Sequence, residues 1–259
     1  MLKVTATNLY GQSLQVTQNS SFRTLVAGLN PPTGSVFTME LATKDGSLFN
    51  AGKVNERFIT LTVYPQGDVE AARHELYKVF KVSKAVSLAI ESGSRKCTIL
   101  GYVEDFPAEF DTPAQSLQIS IKCPDPFFRA LSDVSASVPT AGTAVTVANT
   151  GDVETGAEFA VTATGAVEAV TIINATTGES FTANVSMVSG DVLKLTTVRG
   201  HLGLTLTHDG TTTNILNLME SGSDWITLWP GNNSIAFAAT SGGANASMAV
   251  TFTPLYGGL

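Results

Sequence analysis

Few stretches of this sequence have the residue types and spacing that bond-making chemistry needs. The nearest match to a phosphate-binding loop runs from Gly46 to Lys53, with a second glycine at Gly52. It has one residue too many between the glycines, and Val54 stands where a Ser or Thr should bind magnesium. A hairpin strand that ends in a glycine turn accounts better for these residues. The sequence also lacks a Gly-x-Ser-x-Gly elbow and a His-Glu-x-x-His motif.

The histidines and cysteines do not suggest a metal site. His74 lies on the polar side of a predicted helix, whereas His201 and His208 flank one predicted strand. Because these two are seven residues apart, their side chains point to opposite faces of that strand and cannot share a metal ion. Cys97 and Cys123 lie in separate predicted strands without metal-ligand spacing, and we interpret them as buried thiols. We therefore expect no catalytic residue, no metal and no cofactor.

A cluster of carboxylates occupies a proline-containing loop at residues 104–113. Glu104, Asp105, Glu109 and Asp111 could supply a carboxylate pair for acid–base chemistry, although no histidine or aromatic platform is close in sequence. A solvated loop is a second interpretation. A third is a negatively charged wall facing a polyanion that must slide past without binding.

Two tryptophans, Trp225 and Trp229, are four residues apart. If both belong to one strand, they share a face, and two indoles on one face could form a platform on which a sugar stacks. Packing in the core or in a turn is the alternative interpretation.

The elements that would position these residues begin with one helix, predicted at about residues 68–85. Asp68 follows Gly67 and can accept hydrogen bonds from the amides of the first turn, while lysines near the end suit the helix dipole. Its apolar residues recur every three or four positions and form a stripe that we expect to pack on a sheet. These residues are Val69, Ala72, Leu76, Val79 and Phe80.

The rest of the sequence is typical of β-strands. In the first half, runs at residues 58–63 and 117–121 alternate between apolar and polar residues, and residues 87–103 suggest a hairpin around Gly93. The turn-forming residues 44–47 separate two further runs, so we predict a long projecting hairpin at about residues 35–54. In the second half, glycines recur every 9 to 13 residues between short alternating segments, which predicts an antiparallel sandwich. Residues 133–142 are the best candidate for a linker, giving domains at residues 1–133 and 134–259.

Composition and charge narrow the possible functions. Hydrophobic residues make up 43% of the 259 residues and charged residues only 14%, which excludes a disordered chain. The sequence has no apolar run long enough for a transmembrane helix, so we expect no membrane insertion. Residues 1–133 carry 13 Lys and Arg against 13 Asp and Glu, whereas residues 134–259 carry 2 against 9. The second half therefore holds the entire net charge of −7, and we expect no specific nucleic-acid binding.

Several short motifs, taken in order, resemble those of a known family. They are Arg57-Phe58-Ile59-Thr60-Leu61, Gly101-Tyr102-Val103-Glu104, Cys123-Pro124-Asp125-Pro126-Phe127-Phe128, Asn149-Thr150-Gly151-Asp152 and Trp229-Pro230-Gly231-Asn232. Their order and spacing resemble the distal tail proteins of long, non-contractile-tailed bacteriophages over essentially the whole chain.

This resemblance implies a mainly β fold. It implies an N-terminal β-barrel or sandwich domain with one α-helix, related to tail-tube proteins, and a C-terminal antiparallel, galectin-like β-sandwich. It further implies a structural virion protein, not an enzyme, that forms a hexameric ring between the tail tube protein and the tail tip or hub protein. DNA passes through such a ring, and receptor-binding or side-fibre proteins can dock on its outer domains. The expected location is the virion tail tip, after synthesis and assembly in the host cytoplasm.

The predicted hairpin at residues 35–54 is suited to a ring, because an edge of this kind can add strands to a neighbouring subunit. Its apolar residues are our candidates for the ring interface, and a solvent-exposed hairpin is the alternative. These candidates are Val36, Phe37, Met39, Leu41, Leu48 and Phe49. The carboxylates of residues 104–113 are candidates for the lumen, whose wall should avoid basic side chains that bind phosphate.

Two other functions compete with this prediction. The first is a carbohydrate-binding module for host-surface adhesion, with Trp225 and Trp229 as its platform. The second is a hydrolase of the tail tip, which the missing catalytic motifs disfavour.

Overall fold

The structure is a computed structural model that describes residues 2–43, 45–107 and 116–259. The strands pair antiparallel, and the described ranges contain one α-helix, so the predicted mainly β fold with a single helix is confirmed. The chain divides into two compact units. The first unit comprises Met1–Leu131 with Tyr256–Leu259, and the second unit comprises Ser132–Leu255. The last four residues thus belong to the first unit, which the predicted division at residue 133 did not include.

The elements of the first unit are β1 (Lys3–Asn8), β2 (Ser13–Gln15), β3 (Phe22–Ala27), β4 (Gly34–Glu40), β5 (Ser47–Val54), β6 (Arg57–Pro65), α1 (Val69–Val79), β7 (Ala85–Ser92), β8 (Arg95–Asp105), β9 (Leu117–Cys123) and β10 (Phe128–Ala130). Those of the second unit are β11 (Val134–Val138), β12 (Val145–Asn149), β13 (Thr155–Gly156), β14 (Glu158–Ala163), β15 (Val167–Asn174), β16 (Glu179–Met187), β17 (Val192–Thr196), β18 (Gly203–His208), β19 (Thr211–Asn214), β20 (Thr227–Leu228), β21 (Gly231–Ser241) and β22 (Ala246–Phe252). A last short strand, β23 (Leu255–Tyr256), lies at the boundary, and single 3-10 turns occur at Leu216–Leu218 and Gly243–Asn245.

The main sheet of the first unit has the strand order β2-β1-β7-β8-β9-β6-β3. Alternation sets its buried face: Ile59, Leu61 and Val63 of β6 are buried, whereas the residues between them are not. The same period in β8 and β9 adds their apolar side chains to this face. A single apolar core results on one side of the sheet.

Helix α1 supplies part of the same core. Its N-cap is Asp68, whose carboxylate accepts a hydrogen bond from the Ala71 backbone N–H at 3.0 Å, as predicted. The helix ends at Val79, six residues before the predicted end. The chain turns after Phe80, with Ser83 at a φ of 63°, because β7 already begins at residue 85.

The second unit contains two principal sheets. The larger has the order β11-β22-β14-β17-β18-β19, and the smaller has the order β12-β21-β15-β16. Alternate residues of both contribute to one apolar core, as expected for a sandwich. The predicted linker at residues 133–142 is wrong in its first part, because Val134–Val138 forms β11 and pairs with β22.

Candidate assembly interface

Strands β4 and β5 form a two-stranded sheet of their own. The structure confirms the hairpin predicted at residues 35–54, and within the described ranges neither strand pairs with any other. All eight residues of β5 are exposed, and β4 is exposed except at Ser35. An isolated two-stranded sheet is marginally stable in water, so the hairpin is suited to contact with another surface.

Apolar side chains occupy both faces of this hairpin. Met39 lies opposite Leu48, with Phe37 beside them on the same face, while Val36 and Phe49 lie on the other face. Five of the six interface candidates are therefore exposed on the hairpin, with Val36 and Phe49 each at 69%. The sixth, Leu41, lies just beyond β4 and is half-buried.

A bulge shapes the middle of the hairpin. The register shifts between Phe37 and Thr38, so that Phe49 pairs with Thr38 and Gly52 pairs with Val36. A Cβ added at Gly52 would meet the Phe49 ring at 3.6 Å, which places the ring across the glycine. The bulge therefore brings an exposed aromatic ring over a position without a side chain.

Hydrogen bonds hold the base of the hairpin. The Asn55 backbone N–H donates to the Thr33 carbonyl oxygen at 2.8 Å, and the Ser35 hydroxyl donates to the Asn55 side-chain oxygen at 3.0 Å. Arg57, two residues after Asn55, donates from Nη1 to the carbonyl oxygens of Gly28, at 2.7 Å, and Asn30. The two ends of the hairpin are thus fixed to each other and to the sheet.

Arg57 also joins distant parts of the first unit. Its Nε donates to the Pro126 carbonyl oxygen at 2.7 Å, its Nη2 donates to the Gly257 carbonyl oxygen, and its guanidinium lies 4.3 Å from the centre of the Phe128 ring. Burial lowers the pKa of Arg57 from its usual value. The sequence prediction did not assign Arg57 a structural role. The sequence did contain a clue to this role: Arg57 is a charged residue at an inward-facing position of the alternating strand β6.

The carboxylates predicted for the lumen are only partly described. Glu104 and Asp105 are exposed at the end of β8, rather than in a loop, and Glu109 and Asp111 lie outside the described residues. Lys122 on β9 donates to Glu56 at 2.7 Å. That hydrogen bond raises the pKa of Lys122, and the Glu104 charge raises it further. Lys122 is thus paired with Glu56, and Glu104 and Asp105 are two further carboxylates near this pair.

The two tryptophans do not share a strand. The strand between them, β20, contains only Thr227 and Leu228. Trp225 packs against the core with its ring 5.5 Å from that of Phe181, whereas Trp229 is 47% exposed. The premise of a platform on one strand is therefore wrong, because the chain around Trp225 folds onto the sandwich.

An ion pair that the sequence prediction did not anticipate lies in the second unit. His208 Nδ1 is 2.7 Å from the carboxylate of Asp191, which is buried and also accepts the Val188 backbone N–H at 2.9 Å. These hydrogen bonds lower the pKa of Asp191, and the same carboxylate raises the pKa of His208. The pair could not be predicted from local sequence, because His208 on β18 contacts Asp191, which lies in a turn 17 residues earlier in the chain.

The second unit is similar to a known protein family. Residues 150–256 match the family described as siphovirus-type tail component, C-terminal domain. The second unit of the chain is therefore similar to the C-terminal domain of siphovirus-type tail components. The predicted resemblance to distal tail proteins is thereby confirmed, and the protein is a structural component of a phage tail. No curated protein matches the chain.

One solved structure shares the fold of this chain over nearly its whole length. The crystal structure of the SPP1 Dit (gp 19.1) protein, described as a paradigm of hub adsorption apparatus in Gram-positive infecting phages, is 17% identical with a TM-score of 0.70. The match covers 96% of this chain and 98% of that chain. Chains of the phage P2 baseplate in its activated conformation, with Ca and with Sr, are 9% and 8% identical with TM-scores of 0.45. These matches cover 97% of this chain and 98% of those chains.

Within its described ranges, the tail component shows no group of three or more His, Cys, Asp or Glu side chains that could hold a metal ion. The same residues contain no helix long and apolar enough to cross a membrane. Cys97 and Cys123 are buried free thiols, and burial raises their pKa values to about 11 and about 12. Such thiols stay protonated and are poor nucleophiles.

Proposed function

We propose that this tail component forms a hexameric ring at the distal end of the phage tail, made and assembled in the host cytoplasm. The ring joins the tail tube protein to the tail tip or hub protein. Its outer units offer a docking platform for receptor-binding or side-fibre proteins. The protein acts by binding and not by catalysis.

One observation carries this proposal: the hairpin β4–β5 exposes apolar side chains on both faces. A hairpin that only faced solvent would need neither Val36 and Phe49 on one face nor Phe37 and Met39 on the other. Monomeric proteins seldom expose contiguous apolar surface of this kind without a binding role. In a head-to-tail ring, every hairpin can dock on the next copy until the ring closes.

The ring is tested by measuring the mass of the purified chain in solution at micromolar concentration. We expect a mass six times that of one chain. The double variant Val36→Asp with Phe49→Asp places two carboxylates on one apolar face, and we expect it to be monomeric. Leu9→Asp is the matched control, because Leu9 is 68% exposed in the turn after β1 and lies outside the hairpin.

A hexamer that survives the double hairpin variant would show that other surfaces close the ring. A monomeric wild-type chain at high concentration, with the hairpin intact, would contradict ring formation by this protein alone. Circular dichroism of each variant distinguishes loss of assembly from loss of folding.

A further inference from the structure

Strand β19 is an open edge of the larger sheet in the second unit. It pairs with β18 through a two-residue turn, Asp209-Gly210, whose φ angles are 47° and 75°. On its other side, β19 pairs with no strand of the described residues. All four of its residues, Thr211–Asn214, are exposed.

This edge lacks the usual protection against strand pairing. Edges of soluble proteins are protected by charges, prolines or bulges, and β19 contains three threonines and an asparagine instead. Threonine also favours extended backbone. The edge of the smaller sheet differs, because backbone from a later segment covers β16: the Glu220 N–H donates to the Thr182 carbonyl oxygen at 2.9 Å.

An open groove of about 500 Å³ lies beside this edge. Leu206 and Val188 give it an apolar part, and Ser186, Thr211 and Thr213 contribute hydroxyls. Thr211 and Thr213 lie directly opposite His208 and Leu206, so they share the face of the sheet that borders the groove. A strand added to β19 would therefore place alternate side chains along this groove.

The groove carries negative charge. The Asp209 side chain is 92% exposed, Asp191 lies within the groove, and Glu168 accepts a hydrogen bond from Ser186 at 2.7 Å. Among the described residues that line the groove, His208 is the one basic side chain, and when protonated it opposes these carboxylates. The sequences of β16, β18 and β19, with the turns that follow β16 and β18, contain no lysine or arginine.

We propose that β19 and its groove bind an extended, basic segment of a partner protein, which pairs with β19 as an additional strand. The backbone of β19 supplies the hydrogen bonds, and the carboxylates select lysine or arginine in the partner. This inference rests on the proposed function only in assuming that the second unit docks other tail proteins.

Thr212 provides a selective test. Because the turn is closed by the pair His208–Thr211, the N–H of Thr212, the next residue, points away from β18. Thr212→Pro removes that donor without removing a backbone hydrogen bond to β18, a substitution that edge strands tolerate. It also removes the hydroxyl contact of Thr212 with Thr207 of β18 at 2.9 Å. Thr212→Val is the matched control, because it keeps the N–H and removes only the hydroxyl.

The probe is a fluorescent peptide of about ten residues that alternates lysine and valine, with fluorescence anisotropy as the readout on the full chain. We expect Thr212→Pro to weaken its binding about tenfold or more, since strand pairing depends on that N–H. Thr212→Val should bind as the wild type does. Asp209→Asn should weaken binding several-fold, and Glu154→Gln, which changes the same charge outside the groove, should not.

Three results would overturn the inference: no binding of the peptide, equal binding of a peptide with glutamate in place of lysine, or unchanged binding to Thr212→Pro. The oligomeric mass of each variant separates this inference from the proposed function. If Thr212→Pro still forms hexamers and binds the peptide normally, strand pairing at β19 is contradicted and ring formation is supported. If the wild type binds the peptide but stays monomeric, ring formation is contradicted and strand pairing at β19 is supported.

Discussion

Arg57 donates a hydrogen bond to the carbonyl oxygen of Gly257, a residue 200 positions later in the sequence. Its other donors reach the carbonyl oxygens of Gly28, Asn30 and Pro126. One buried guanidinium thus connects the base of the hairpin, the segment after β9 and the end of the chain. All four acceptors are neutral carbonyls, so the geometry of the planar fork matters as much as its charge.

We therefore expect Arg57→Lys to destabilise the first unit although it preserves the positive charge. A lysine cannot supply the three nitrogens that bond these carbonyls, and unsatisfied buried polar groups are costly. The expected loss in free energy of unfolding is about 2–4 kcal/mol. Urea unfolding followed by far-UV circular dichroism measures it, because both tryptophans lie in the second unit. Arg23→Lys, at an exposed position of β3, should change stability by less than about 0.5 kcal/mol.

Local patterns explain why so much of the fold was predictable. Strands β6, β8, β9 and β17 follow from alternation, and the hairpin β4–β5 follows from its turn residues. The helix cap at Asp68 was also visible in the sequence. In each case, neighbours in sequence decide the structure.

Elements that depend on distant partners were missed. The residues of β11 are small and weakly patterned, and they form a strand because β22 offers an edge more than a hundred positions later. The role of Arg57 and the pair Asp191–His208 likewise need residues that the chain brings together only on folding. The hairpin could be predicted from its turn residues, whereas its role as a ring interface stays a prediction.

Gly101 gives a prediction about packing within the first unit. A Cβ at this position of β8 would lie 2.4 Å from Ile121 Cγ2 and 2.8 Å from Cys123 Sγ. Gly101→Ala should therefore lower the free energy of unfolding by about 1–3 kcal/mol through overpacking. Gly203→Ala is the matched control, because Gly203 begins β18 and has no atom within 4 Å of the added Cβ. Equal stability of the two variants in urea would contradict this account.

The pair Asp191–His208 predicts a pH dependence of stability. Asp191 raises the pKa of His208 above its ordinary 6.5, so the contribution of His208 is full below pH 6.5 and is lost as pH rises through the raised pKa. The lowered pKa of Asp191 gives a contribution that is present above its ordinary 3.8 and is lost at lower pH. The pair thus stabilises the second unit most between these two values.

Accordingly, His208→Gln should lower the melting temperature more at pH 5.5 than at pH 8.5. Scanning calorimetry at both pH values measures this difference. His201→Gln is the control, because His201 is exposed outside any strand, and it should melt with the wild type at both. A deficit in His208→Gln that did not shrink at the higher pH would mean that packing, and not charge, accounts for its effect.

The exposed carboxylates at the end of β8 allow a test of the proposed passage of DNA through a ring. If Glu104 and Asp105 line the lumen, replacing both with lysine puts cations on the path of the phosphate backbone, and DNA should be retained. We expect Glu104→Lys with Asp105→Lys to bind double-stranded DNA in a filter assay, with an affinity that falls steeply as salt rises. Glu154→Lys with Glu220→Lys changes the net charge equally, on exposed residues of the second unit. Equal DNA binding by both double variants would mean that the net charge of the protein determines DNA retention. That result would contradict the placement of Glu104 and Asp105 in the lumen.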